Sequence, residues 1–158
     1  ETGARPNEIL GLTWANIDFK NKKILIRDSI DYKNRLRKDF LKNSGSRRII
    51  DCSDKLLALL DTAFIYKKGG RVFNYSLKVS KRIVQDAAKR AGINWVGGLK
   101  PFRKFSSTLI RNSKMYSDKG FTTRFGWNNL NTFNKHYEGN LDNQKENQKL
   151  LNNLNLTE

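Results

Sequence analysis

Thr2-Gly3-Ala4-Arg5-Pro6-Asn7-Glu8-Ile9-Leu10-Gly11-Leu12-Thr13-Trp14, followed by Asn16-Ile17-Asp18-Phe19, is the stretch on which the reading of this chain turns. Pro6 suits a first helical position, where its missing N–H is no loss and its fixed φ is already helical. Glu8 adds an acid in the first turn, against the positive end of the helix dipole. Ile9, Leu10 and Trp14 give that short helix an apolar face. Ile17-Asp18-Phe19 then reads as a strand, residues 20–23 as a Lys/Asn turn, and Ile24-Leu25-Ile26 as the returning strand of a hairpin.

The same logic extends down the chain. Residues 32–48 are polar and basic, and Arg48-Ile49-Ile50 adds a third strand. Asp54 is expected to cap a helix through Leu56, Leu57, Leu60 and Phe64, and Gly69-Gly70 breaks the pattern. Ser76 opens a second long helix with Ile83, Val84, Ala87 and Ala91 at helical spacing, stopped by Gly92. Pro101 starts another, expected to bury Phe102, Phe105, Leu109 and Ile110 while Arg103 and Lys104 point elsewhere. Thr132 to Tyr137 suits a short helix. The expected fold class is therefore α+β, mainly α, with a small three-stranded antiparallel sheet near the N-terminus.

Charge narrows the function. The 158 residues, one domain's worth of chain, carry 31 Lys plus Arg against 15 Asp plus Glu, a net +16. That excess points to a polyanion, most often nucleic acid. No apolar run approaches the ~18 residues of a spanning helix, so a membrane partner is not expected. A hydrophobic content of 37% with nine Phe, five Tyr and three Trp is too high for a disordered polycation. The lone Cys52 and lone His136 cannot supply a structural zinc site, and a single cysteine fits a reducing, cytoplasmic setting. Up to residue 137 the chain holds 29 basic and 11 acidic groups, net +18, whereas residues 138–158 are net −2. That tail, with Leu141, Leu150, Leu151 and Leu154 as a sparse apolar stripe, suits protein or solvent and not phosphate. Opening on Glu1-Thr2-Gly3 without an initiator Met, the chain is expected to be part of a longer protein.

A DNA-modifying enzyme with almost no His or Cys must manage phosphate charge with Arg, Lys or metal-bound carboxylates. Acids are scarce and ungrouped, which argues against a metal-dependent nuclease. The metal-free route clamps the phosphate with bidentate arginines and attacks it with a side chain. Tyrosine suits that attack, because phenoxide leaves more easily than an alkoxide and the bond is reversible.

The opening stretch resembles the first box of the tyrosine recombinases, the phage-integrase family, which reads T-G-x-R-x-x-E-x-x-x-L-x-W followed by I-D. Leu41-Lys42-Asn43-Ser44-Gly45-Ser46-Arg47-Arg48-Ile49-Ile50 is similar to the family's β-hairpin lysine segment. Lys100-Pro101-Phe102-Arg103 resembles H-x-L-R with Lys in place of His. Phe125-Gly126-Trp127 resembles L-G-H/W, and Tyr137 follows ten residues after Trp127, where nine is the commoner spacing. The resemblance covers residues 2 to about 140, and implies a catalytic domain over 1–140 with 141–158 as a tail that docks on a neighbouring subunit.

What it implies chemically is a site-specific DNA recombinase. Arg5 and Arg103 would clamp the scissile phosphate, Glu8 would orient Arg5, and Lys42 would protonate the leaving 5′ oxygen. Lys100 would act as a cation on the phosphate. Trp127 would either donate its indole N–H or pack as core. Tyr137 would be the nucleophile, and His136 beside it reads as structural. The implied partner is double-stranded DNA bound by a homotetramer, with the isolated piece as a monomer, and no cofactor or metal is required. Two alternatives stay open: a non-catalytic DNA-binding relative, and a type IB topoisomerase-like enzyme.

Overall fold

In the computed structural model, which describes residues 1–31, 36–38, 47–65, 70–95 and 97–136, Pro6 opens helix α1 (Pro6–Gly11). A 3-10 turn (Trp14–Asn16) leads into strand β1 (Ile17–Asp18), which pairs antiparallel with β2 (Lys23–Ile26), Ile17 opposite Ile24. Asp18 makes the turn between them by accepting hydrogen bonds from the backbone and side-chain amides of Asn21. Strands β3 (Ser29–Asp31) and β4 (Leu36–Lys38) form a separate antiparallel ribbon. No strand was expected at either place, and β4 falls within the stretch read as polar and basic. Strand β5 (Arg48–Asp51) returns to β2, so the sheet runs β1-β2-β5, the three strands expected. Ile24, Ile26 and Ile50 point to one side and pack with Leu12, Leu57 and Leu60.

The helical remainder follows in order: α2 (Asp54–Ile65), α3 (Leu77–Arg90), α4 (Lys100–Asn112), α5 (Asp118–Phe125) and α6 (Asn131–His136). Ser53, not Asp54, caps α2: its Oγ accepts from the Leu56 N–H at 3.2 Å. Ser76 caps α3 as expected, accepting from Val79 N–H. Within α3 only Ala88 is buried among the described residues, while Ile83 is exposed.

Helix α4 corrects the expectation most sharply. Phe102, Phe105 and Leu109 are 50%, 42% and 41% exposed, whereas Arg103 is 3% exposed, with Ser106 and Ser107 buried beside it. The polar stripe of α4 faces inward because backbone carbonyls wait there for the guanidinium. Its apolar stripe, with Phe102 stacked on Trp95, forms an open face.

Helix α5 carries no strong apolar period and was not anticipated. Ser117 caps it by accepting from Gly120 N–H, and Gly126 ends it in the left-handed conformation at φ 64°. It seeds a second core, in which Phe121, Phe125, Trp127 and Phe133 pack edge-on and stacked.

Candidate functional site

The end of α5 sets the geometry. A helix leaves its last carbonyls without internal partners, and that end carries partial negative charge. Here Gly126 N–H bonds Thr123 O and Trp127 N–H bonds Thr122 O, which satisfies two of them. The next three carbonyls each accept from an arginine. Arg48 Nε donates to Arg124 O at 2.7 Å, Arg103 Nη2 to Phe125 O at 2.6 Å, and Arg5 Nη2 to Gly126 O at 3.1 Å. Three arginines from three distant parts of the chain therefore converge on one helix terminus.

Each is held a second time. Arg103 Nη1 donates to Gly3 O at 2.5 Å, and its guanidinium lies over the Trp127 and Phe125 rings at 4.9 and 5.4 Å. Trp127 is 6% exposed and forms the floor under Arg103. Arg5 is the N-cap of α1, and its Nη1 donates to Glu8 Oε1 at 2.8 Å. Glu8 also accepts from Arg5 N–H at 2.7 Å and from Arg48 Nη2 at 2.9 Å. The Glu8 and Arg48 side chains are both 1% exposed.

Burial by itself would raise the Glu8 pKa. The Arg48 hydrogen bond and charge, then the Arg5 backbone N–H and charge, outweigh it and hold the carboxyl below its ordinary value. A carboxylate with a depressed folded-state pKa contributes stability that is present above its unfolded pKa and lost as pH falls through the folded one. Glu8→Gln should therefore unfold with less pH dependence below about pH 4.5 than the parent chain, as measured by urea midpoints across an acid series.

Arg5 and Arg103 both line a cleft of about 1310 Å³ with Lys78, Lys81, Lys100, Lys104 and His136. Among the described residues no acidic side chain lines it. Lys100 is exposed at the start of α4, where it enters from the same side. Of the residues singled out in the sequence, then, Arg5, Lys100 and Arg103 meet in one cleft, with Glu8 and Trp127 behind them. Lys42 and Tyr137 lie outside the described residues. His136 is exposed and lines the cleft.

Sequence reasoning passed over Arg48, Lys78 and Lys81. Arg48 was read as a strand start and as part of the lysine segment, without a partner of its own, although an arginine opening an apolar strand in a chain of few acids is a sign that it has one. Lys78 and Lys81 stand one helical turn apart on α3, a spacing that places them on one face. Among the described residues no three His, Cys, Asp or Glu side chains come together as a metal site would need. No helix among them is long and apolar enough to cross a membrane. The arrangement is suited to gripping one phosphodiester with planar guanidiniums against a fixed backbone.

Comparison with known proteins gives a consistent answer. A sequence model of the phage integrase family matches residues 1–144. No curated protein matches the chain. Among solved structures, XerA recombinase superposes with TM-score 0.69 at 18% identity, over 92% of this chain and 51% of that one. The Tn1549 transposon integrase in complex with transposon right end DNA gives 0.68 at 17% identity, over 95% of this chain and 55% of that one. XerH site-specific recombinase bound to difH substrate gives 0.64 at 19% identity, over 92% and 42%. The chain thus spans about half the length of each, and what they share with it is the fold.

Proposed function

Since the chain belongs to the phage integrase family, we propose that it is the catalytic part of a tyrosine-type site-specific recombinase that cuts and rejoins double-stranded DNA. The observation that carries this reading is the convergence of Arg5 and Arg103, 98 positions apart, on one cleft that also gathers Lys78, Lys81, Lys100 and Lys104. Tyr137 follows directly on His136, which lines that cleft.

In the proposed reaction the Tyr137 phenolate oxygen bonds to the scissile phosphorus as the P–O5′ bond breaks. The product is a 3′-phosphotyrosine, and Lys42 supplies the proton taken up by the departing 5′ oxygen. A 5′ hydroxyl of a partner strand then attacks the same phosphorus and releases the tyrosine, so no bond energy is lost and no nucleotide is consumed. Arg5 and Arg103 supply fixed positive charge to the non-bridging oxygens as charge builds on them. Lys100 is a further cation at the same phosphate. Trp127 serves by holding the Arg103 guanidinium in plane. Glu8 acts through Arg5.

Lys78, Lys81 and Lys104 bind the flanking duplex backbone in this reading. Lys78→Ala and Lys81→Ala should each reduce the slope of log affinity against log salt by roughly 0.9, uniformly across DNA sequences. Titrations of a fluorescent duplex at several salt concentrations measure this. Unchanged slopes would remove α3 from the DNA track. Assembly as a tetramer on DNA, with residues 141–158 docked on a neighbour, belongs to the same proposal, as does action in the cytoplasm.

A nicked suicide duplex carrying the target site tests the chemistry. The parent chain should form a covalent protein–DNA adduct, and Tyr137→Phe should form none. Tight binding without adduct would favour the non-catalytic DNA-binding alternative. Relaxation of supercoiled DNA without site preference would favour the topoisomerase-like one.

A further inference from the structure

Arg48 stands apart from the residues assigned to the reaction. It opens β5, is 4% exposed, and is not among the residues that line the cleft. Yet its guanidinium makes a forked contact with the Glu8 carboxylate, Nη1 to Oε1 at 3.3 Å and Nη2 to Oε2 at 2.9 Å, while Nε reaches Arg124 O. A buried ion pair is rarely worth more to stability than well-packed apolar side chains in its place. A role in geometry is the better account of this one.

The connections form a closed ring. Arg48 binds Glu8, Glu8 binds Arg5 through both its backbone N–H and Nη1, Arg5 binds Gly126 O, and Arg124 O two residues earlier binds Arg48 again. Three elements, β5, α1 and the end of α5, are joined at fixed distances. The Arg5 guanidinium is the one member of the ring whose side chain is substantially open, at 37%. Both Glu8 oxygens already accept from Arg5, Oε2 from its backbone N–H and Oε1 from Nη1, but those bonds are local to the first turn of α1 and do not tie the carboxylate to the rest of the fold. Arg48 holds both its oxygens and so sets the direction from which Arg5 is pulled.

We propose that Arg48 is a positioning residue for phosphate binding, acting through Glu8 to hold the Arg5 guanidinium at the mouth of the cleft. The inference rests on the recombinase reading for its consequence in cleavage, but not for its consequence in Arg5 itself. It predicts that Arg5 is pre-set before DNA arrives, so that little reorganisation is needed when the phosphate gains charge.

The test uses Glu8→Gln/Arg48→Met, which removes both buried charges together and leaves neither unpaired. Guanidinium nitrogen NMR of the whole 158-residue chain should show resolved, slowly rotating Arg5 Nη signals in the parent and merged signals in the double variant, with the amide spectrum otherwise retained. On the nicked duplex, affinity should change by less than about threefold while single-turnover adduct formation falls by about 100-fold. Arg5→Lys placed on top of the double variant should add little, because both changes disable the same group. A merely structural Arg48 would give losses that multiply instead.

Arg48→Lys is the second variant, for use should the double one not fold. It keeps a positive charge beside Glu8 but cannot span both carboxylate oxygens and Arg124 O. It should merge the Arg5 signals too. Unaltered Arg5 signals, or multiplying losses, overturn the proposal. A parent chain that makes no adduct overturns the strand-transfer reading, while the Arg5 signals still decide this one.

Discussion

Arg103→Met is expected to lower adduct formation on a nicked duplex by about 10³-fold, the loss that follows removal of a pre-set charged donor at a transition-state oxyanion. It is also expected to weaken the fold. Arg103 donates to Gly3 O and Phe125 O and is 3% exposed, so its loss strands two buried carbonyls. Each stranded carbonyl costs about 1–3 kcal/mol. Arg103→Lys separates the two effects. Its ammonium keeps the charge but cannot span both carbonyls in the fork that Arg uses. It should lose most of the cleavage rate and recover part of the stability, measured by urea unfolding beside single-turnover kinetics. A lysine variant that cleaves like the parent would show that charge alone is needed at this position.

Gly3→Ala is expected to be strongly destabilising for the addition of a single methyl. Gly3 has φ +60°, and a Cβ there would overlap the Phe125 ring at Cε1. The backbone strain and the overpacking of a core aromatic together amount to roughly 2–5 kcal/mol. Gly92→Ala is the natural control, since Gly92 has φ +69° and no heavy atom among the described residues within 4 Å of the added carbon. It should cost only about 1 kcal/mol, from the backbone alone. The difference between their urea midpoints reports the Phe125 clash. Because Gly3 O and Phe125 O are the two acceptors of Arg103, Gly3→Ala should also depress adduct formation more than its stability loss explains.

The open apolar face of α4 bears on how much of this was legible. Phe102, Phe105 and Leu109 recur at helical spacing, and that spacing correctly places them on one face. It does not say whether the rest of the protein meets that face or the opposite one. The usual rule, apolar side in, failed because the opposite side carries Arg103, whose guanidinium has carbonyls of Gly3 and Phe125 to meet. The contacts of Arg48 went unread for a related reason. Its partners Glu8 and Arg124 lie 40 and 76 positions away, and no local pattern signals them. Helix α5 was missed because its caps, Ser117 and Gly126, flank a segment with little apolar periodicity, although the caps themselves were there to be read.

By itself the sequence determined the elements whose causes are local: Pro6 starting α1, the hairpin of β1 and β2 about its Lys/Asn turn, Ser76 capping α3, and the basic excess of +18 confined to residues 1–137. Its resemblance to the family's boxes pointed to Arg5, Glu8 and Arg103 as candidates. Only the tertiary structure decided how those side chains are held. Turn sterics and helix caps act over a few residues, whereas the destination of a buried charge depends on which carbonyls and carboxylates the whole fold brings to it. Three arginines on three successive carbonyls at the end of α5 is such an outcome.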